Sequence, residues 1–197
     1  MKQNICKISF MKDFIPTLNQ NFTFGNCKNC QAHCCSGLHG SIYSQILKEE
    51  FEAVYKNFPI LFIFGSLKFI KPVILLSNGF DFCPHLKNFK CAIYENRPIV
   101  CKTYPLSPNL DNQIYIDSSC PEINKGKEPL KFEESYFKNY QEKYIETHFE
   151  FENLKKEDFQ LICNIKNENF YKYIGNENSS YLKLHILSLK NLHKLEL

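Results

Sequence analysis

The first half of the chain alternates between short apolar runs and polar, turn-forming segments. The longest uninterrupted apolar run covers residues 60–64, and another covers residues 73–76. Both runs are rich in β-branched and aromatic residues and are bounded by turn residues, so the pattern predicts two strands. Ser77-Asn78-Gly79, directly after the second run, has the composition of a turn.

A helical spacing precedes these strands. Apolar side chains recur at the positions that one helix face requires, at Leu47, Phe51, Val54 and Tyr55. Ser44 is a suitable N-cap, and Pro59 cannot continue a helix. We therefore predict one helix that begins at Ser44 and ends at Lys56.

The last third of the chain has the period of amphipathic helices. A polar stretch at residues 124–129 predicts a linker, and beyond it aromatic residues recur at intervals of four between Phe132 and His148. The spacing of Leu and Ile predicts two further helices, over residues 154–165 and 181–197. We expect a cysteine-cluster domain over residues 1–125 and a helical C-terminal extension over residues 126–197.

Charge and composition limit the partners and the cellular location that we expect for this protein. The 197 residues carry a formal net charge of only +3, which argues against nucleic acid and membrane lipid as partners. The N-terminus is charged throughout and lacks the apolar core of a secretory signal. No apolar run approaches the roughly 20 residues of a membrane-spanning helix. We expect a soluble, cytoplasmic protein whose thiols stay reduced.

Cysteine is the candidate chemistry, with ten residues in the chain. Eight of them are clustered along the sequence, at Cys27, Cys30, Cys34, Cys35, Cys83, Cys91, Cys101 and Cys120. In a reducing compartment this density is typical of a metal site, and incidental thiols are the alternative. A two-residue spacer, as in the first pair, lets both sulfurs of a turn reach one ion. Thiolate is a soft ligand, so the set favours zinc, an iron–sulfur cluster or Cu(I).

Two details refine the metal hypothesis. The side chains of adjacent Cys34 and Cys35 diverge on a helix or a strand, so the eight thiols indicate two ions or one polynuclear centre. A hairpin with its tip at Lys87-Asn88 would bring Cys83 and Cys91 close together.

Three residues near the cysteines are candidate supports for a metal. Arg97 is the only arginine among 24 Lys and Arg residues, and its N–H groups could donate to sulfur. His85 and His33 lie beside cluster positions and could support or replace a thiolate. The alternatives are an ordinary ion pair for Arg97 and ordinary loop roles for both histidines. Cys163 stands apart from the other thiols and is predicted to be a core residue.

The second cysteine block carries a recognisable pattern. It reads Cys83-Pro84-His85-Leu86, then Cys91-Ala92-Ile93-Tyr94-Glu95-Asn96-Arg97-Pro98, then Cys101-Lys102-Thr103-Tyr104-Pro105. With Cys120-Pro121 and the first cysteine group, this pattern resembles the YkgJ-type cysteine-cluster family over about residues 22–122. The family is described as zinc- or iron-chelating. The chain departs from it at Gln31-Ala32-His33, where three residues replace the usual two, which puts the role of Cys30 in question.

The resemblance implies a metal-binding function and leaves enzymatic activity open. The same signature occurs in the flagellin lysine-N-methylase, which implies an iron–sulfur-dependent protein lysine methyltransferase as one alternative. The sequence has no Gly-rich cofactor loop or phosphate loop that would support it. Another alternative is a metal-scaffolded interaction module whose C-terminal helices bind a protein partner. For the fold we predict α+β: a small, irregular, metal-stapled domain with short strands and one helix, with the C-terminal helices packed on it.

Overall fold

A computed structural model describes residues 13–18, 21–26, 30–65, 69–131, 133–176 and 179–197 of the chain. These residues form a mixed α and β fold, which confirms the predicted α+β class. The strands are β1 (Phe14–Pro16), β2 (Thr23–Phe24), β3 (Tyr43–Gln45), β4 (Ile60–Phe64), β5 (Ile70–Leu75), β6 (Leu86–Lys87), β7 (Lys90–Cys91), β8 (Leu106–Pro108), β9 (Ile114–Asp117), β10 (Glu128–Pro129), β11 (Phe159–Ile165) and β12 (Glu168–Tyr173). The α-helices are α1 (Phe51–Val54), α2 (Ile99–Thr103), α3 (Tyr140–Phe151) and α4 (Ser180–Ser188).

A five-stranded antiparallel sheet in the order β11-β12-β4-β5-β3 carries most of the core. Its central strand β4 is buried on both faces. Phe62 packs with Phe51 of α1 and Phe151 of α3 on one face, whereas Leu61 packs with Leu195 on the other. Because successive side chains of a strand point to opposite faces, a strand covered on both sides needs an uninterrupted apolar run. That requirement explains the run at residues 60–64.

A smaller antiparallel sheet in the order β1-β9-β8 has its own core of Leu106, Ile116 and Phe137. Two short ribbons, β2 with β10 and β6 with β7, complete the described strands. Most of the described cysteines lie in loops and short elements outside the two larger sheets. No helix in the described part of the chain is both long enough and apolar enough to cross a membrane.

The N-terminal strand predictions agree with the structure. The prediction of a single helix within residues 1–125 is wrong, because α1 and α2 both lie there. β4 matches the predicted strand at 60–64, and β5 includes residues 73–75 of the second run but begins earlier, at Ile70. Ser44 is not an N-cap, because Tyr43–Gln45 pairs with β5 as its edge strand. Helical structure begins only at the 3-10 turn Lys48–Glu50 and continues into α1. Pairing with a distant strand outweighs the local capping signal here.

The predicted helix at 154–165 is wrong, because Phe159–Ile165 forms β11. The residues Lys166 and Asn167 adopt φ values of 49° and 69° and connect β11 to β12 in a two-residue turn. β12 in turn pairs with β4. The segment 126–197 is therefore helical only in part, and two of its strands, β11 and β12, extend a sheet that β3, β4 and β5 begin.

Two further boundaries differ from the predictions. The predicted linker at 124–129 is partly ordered by pairing, because Glu128–Pro129 forms a ribbon with β2. The aromatic helix begins at Tyr140, after Asn139 in the left-handed conformation, and Glu134–Tyr136 is a 3-10 turn. Phe132 lies outside the described residues. The tail prediction at 181–197 is confirmed by α4 and the 3-10 segment Leu189–Leu195.

Candidate metal centre

The vicinal pair Cys34-Cys35 lies in a tight loop that is hydrogen-bonded to the second cysteine block, residues 83–101. Cys34 and Cys35 belong to a 3-10 turn that follows Ala32 in the left-handed conformation, and their Sγ atoms are 3.9 Å apart. The Cys35 carbonyl accepts a hydrogen bond from the Cys83 N–H at 2.7 Å. Ser36 pairs with Phe82 as an isolated bridge. These contacts hold the vicinal pair beside the start of the second block.

Two glycines permit this close approach. Gly37 donates to the Asp81 carbonyl at 2.8 Å, and a Cβ on Gly37 would lie 2.6 Å from the Phe80 nitrogen. A Cβ on Gly40 would collide with the Cys34 carbonyl. Only a residue without a side chain fits at either position, so the glycines that flank the first cysteine group serve its packing.

The predicted hairpin between Cys83 and Cys91 is confirmed, with its tip shifted by one residue. Asn88 and Phe89 form the two-residue turn with φ values of 49° and 57°. Leu86 lies directly opposite Cys91 in the ribbon. Cys101 approaches from a third direction on α2, which begins after Pro98.

The thiols of Cys34, Cys83, Cys91 and Cys101 are electrostatic neighbours. Burial raises the pKa of the Cys83 thiol to about 11, and Cys91 and Cys34 raise it further. Burial likewise raises the pKa of the Cys101 thiol to about 12, with additional contributions from Cys83, Cys34 and Cys91. Three separate segments of the chain thus place four of the predicted ligands in one electrostatic neighbourhood.

A second group of thiols also includes Cys34. Burial raises the pKa of the Cys120 thiol, and the nearby Cys30 and Cys34 act in the same direction. The Tyr104 hydroxyl hydrogen-bonds to Cys120 and donates to Oδ2 of Asp117 at 3.2 Å. Asp117 is fully buried. Cys34 thus acts on the pKa values of thiols in both groups.

Two cysteines followed by proline share a feature that sequence reasoning missed. The backbone N–H of His85 is directed at the Cys83 sulfur, and that of Glu122 at the Cys120 sulfur. Each of these hydrogen bonds lowers the thiol pKa and so opposes the effect of burial, because it favours the negatively charged sulfur. The repeated Cys-Pro-X sequence was the available signal, since proline restricts the backbone ahead of the donating amide.

Arg97 and the two histidines have other described partners. Arg97 lies next to Cys101, where its nearby charge lowers the Cys101 pKa. Arg97 donates hydrogen bonds to the Tyr94 and Cys101 carbonyls, and its donation to sulfur stays a prediction. His85 Nε2 is 2.9 Å from the Asn57 carbonyl, and the ring of His33 stacks on that of His39 at 4.9 Å.

Cys163 and Cys27 are the remaining cysteines with a predicted role. Cys163 lies on β11, packs against the core that contains Leu61, and has burial as the only cause of its raised pKa. This position agrees with the predicted core role. Cys27 lies outside the described residues, so its predicted role as a ligand stays a prediction.

The donor chemistry fits a soft metal, although the described side chains do not form a closed coordination shell. Within the described ranges, no three His, Cys, Asp or Glu side chains are arranged so that they could hold one metal ion. Thiols nevertheless dominate the site, and thiolates select zinc, iron–sulfur clusters or Cu(I). No family model, curated protein or solved structure matches the chain.

Proposed function

We propose that this protein binds zinc or iron through clustered cysteine thiolates, with an iron–sulfur cluster as one form of the bound iron. The observation that carries the proposal is the proximity of Cys34, Cys83, Cys91 and Cys101, which come from three separate segments. All four thiols are free, with no disulfide between them. Coordination of a soft metal would explain why these thiols are clustered.

The electrostatic neighbours of Cys83, Cys101 and Cys120 favour two ligand groups, and the two predicted ligands that remain, Cys27 and Cys35, are assigned to the second. The first group would be Cys34, Cys83, Cys91 and Cys101. The second would be Cys30 and Cys120, completed by Cys27 and Cys35. The resemblance to the YkgJ-type family supports the same set, and the proposal requires a reducing compartment such as the cytoplasm.

The metal would supply folding energy to a region with little regular structure. A structural zinc site contributes on the order of 10 kcal/mol at neutral pH. Short strands and 3-10 turns provide few backbone hydrogen bonds around the cysteines. Metal coordination would cross-link the loops that carry them. Removal of the metal should therefore loosen the loops around Cys34 and Cys83 before it affects the five-stranded sheet.

Metal binding should release protons. Burial raises the pKa of Cys83 to about 11 and of Cys101 to about 12, so both thiols carry their protons at neutral pH in the absence of metal. Coordination requires the deprotonated form, so metal affinity should fall as the pH falls.

Metal analysis of protein purified without oxygen tests the proposal. We expect at least one equivalent of zinc plus iron in the wild-type protein, and a loss of at least about half of it in Cys101→Ser. Cys163→Ser is the matched control, because Cys163 lies on β11 among core residues, and it should retain full metal content. A wild-type content below about half an equivalent would contradict the proposal.

A visible spectrum of the same samples identifies the metal. A brown protein with charge-transfer absorption indicates an iron–sulfur cluster, whereas a colourless protein that contains zinc indicates zinc sites. The two alternatives, a lysine methyltransferase and a metal-scaffolded interaction module, gain no specific support from the described residues.

A further inference from the structure

A cleft of about 420 Å³ opens beside the cysteine cluster, between α2 and the segment that precedes α3. Its walls include the cationic side chains of Arg97, Lys102 and Lys131. Aromatic rings complete the lining, at Tyr94, Tyr104 and Tyr136. This volume lies within the range of small-molecule sites. None of these cations belongs to the thiol groups described above.

Arg97 is held in place before any ligand arrives. Its guanidinium carbon lies 3.6 Å from the centroid of the Tyr94 ring. Its Nε–H donates to the Tyr94 carbonyl at 2.9 Å, and one N–H of its terminal groups donates to the Cys101 carbonyl at 3.4 Å. A guanidinium carries five N–H donors, so these two bonds leave three for a ligand. Stacking and hydrogen bonding restrict the side chain, which reduces the entropy that binding would cost.

The three cations of the cleft have no ion-pair partner among the described residues, although Glu95 and Glu133 also line it. In the part of the chain that the structure describes, no carboxylate lies within 4.0 Å of a nitrogen of Arg97, Lys102 or Lys131 as an ion pair. Glu133 lines the same cleft, but its Oε1 accepts a hydrogen bond from Ser135 at 2.7 Å. Three cations thus face an opening in which two carboxylates, Glu95 and Glu133, form no ion pair with them.

Position 97 is occupied by arginine, although lysine is the usual cation of this chain. Among the 24 Lys and Arg residues of this chain, arginine occurs only here. Lysine supplies positive charge everywhere else, so charge alone does not explain the choice. A planar guanidinium differs from an ammonium in that it can donate two parallel hydrogen bonds to one carboxylate or phosphate group.

We propose that this cleft binds a small molecule that carries an oxyanion, a carboxylate or a phosphate group. Arg97 is the main contact, through its remaining N–H donors, and Lys102 and Lys131 add positive charge at the rim. The tyrosine rings give the rest of the ligand an aromatic wall. The proposal does not require that a metal be bound.

The single arginine makes the test specific. In protein labelled with ¹⁵N-arginine, the Nε–H resonance reports on Arg97 alone. We would titrate full-length protein, as purified, with sodium phosphate and separately with sodium succinate, at constant ionic strength maintained with sodium chloride. We expect a saturable shift with at least one of the two anions. A response to phosphate alone, to succinate alone or to both identifies the oxyanion that the site prefers.

Variants establish whether the cleft itself is responsible. Lys131→Gln should weaken binding about fivefold, the effect expected from the loss of one solvent-exposed charge. Lys183→Gln is the matched control, since Lys183 is exposed on α4, and it should leave the affinity unchanged. Arg97→Lys keeps the charge but not the planar fork, and calorimetry should show binding weakened about tenfold.

Two results would overturn the inference. One is a shift that grows linearly with either anion and never saturates. The other is equal affinity in Lys131→Gln and Lys183→Gln. The metal content of the same samples is measured separately, so a failure of anion binding is distinguishable from a failure of the proposed metal function.

Discussion

His185 on α4 is fully buried and joins two strands of the five-stranded sheet. Its Nε2 accepts a hydrogen bond from the Tyr173 backbone N–H at 3.1 Å, and its Nδ1 lies 2.7 Å from the Ile60 carbonyl. Its ring packs edge to face against Phe62, with centroids 5.0 Å apart. The neutral ring protonated on Nδ1 satisfies both bonds. A second proton on Nε2 would face the N–H of Tyr173, so the charged form has no acceptor there.

Burial lowers the pKa of His185 from its usual 6.5 to about 4, and Lys172 acts in the same direction. As the pH falls, the unfolded chain therefore takes up this proton before the folded protein does. The stability that His185 contributes is fully present above pH 6.5 and is lost as the pH falls from 6.5 towards 4. The loss is about 1.4 kcal/mol per pH unit, or about 2 kcal/mol between pH 7 and pH 5.

The assay must separate this effect from an opposing one. Burial raises the pKa of the Glu50 carboxyl to about 7 from its usual 4.5, so its contribution is present below pH 4.5 and is lost as the pH rises through 7. The two slopes largely cancel in the wild-type protein. We would therefore measure urea denaturation of the wild type and His185→Gln at both pH 7 and pH 5, and compare the two free energies of unfolding at each pH.

At pH 7 we expect His185→Gln to be destabilised by about 3 kcal/mol, because two buried backbone groups lose good partners and Phe62 loses a packing contact. At pH 5 the gap should shrink by about 2 kcal/mol. If the variant does not fold, NMR titration of the wild-type ring serves instead, and His185 should remain neutral down to pH 5. A constant gap, or a ring that titrates near pH 6.5, would refute the reasoning.

Two other substitutions have expected outcomes. Glu50→Gln removes the buried ionisation, so its stability relative to the wild type should increase by about 3 kcal/mol between pH 4.5 and pH 7 in the same denaturation assay; parallel profiles would contradict this. Phe89 is 65% exposed and has φ 57° at the hairpin tip. Phe89→Gly should raise the free energy of unfolding by about 1 kcal/mol, whereas Phe89→Ala should not, because alanine keeps the strained Cβ. A destabilised Phe89→Gly would show that the ring contributes more than the strain costs.

The sequence predicted the features that depend on residues close together along the chain. The apolar run of β4, the hairpin that Asn88 closes and the final helix were all predictable, because side-chain periodicity and turn chemistry act over a few residues. The cysteine set was equally visible, since its spacing is a property of the chain itself. The Cys-Pro-X amide contacts at Cys83 and Cys120 were also present as a local signal, although only the structure shows where these amides point.

Other features depended on partners that are distant along the chain. Residues 43–45 and 159–165 have patterns that a helix would also satisfy. Residues 43–45 form a strand because β5 offers backbone groups to pair with, and the β11–β12 hairpin joins the sheet because β12 pairs with β4. Distant segments also bring Cys34 near two groups of thiols and place Arg97 in a cleft. Such contacts join segments tens of residues apart, and their energy depends on which surfaces meet in three dimensions. The sequence by itself determined which residues carry the chemistry of this protein, and the tertiary structure decided which of them are neighbours.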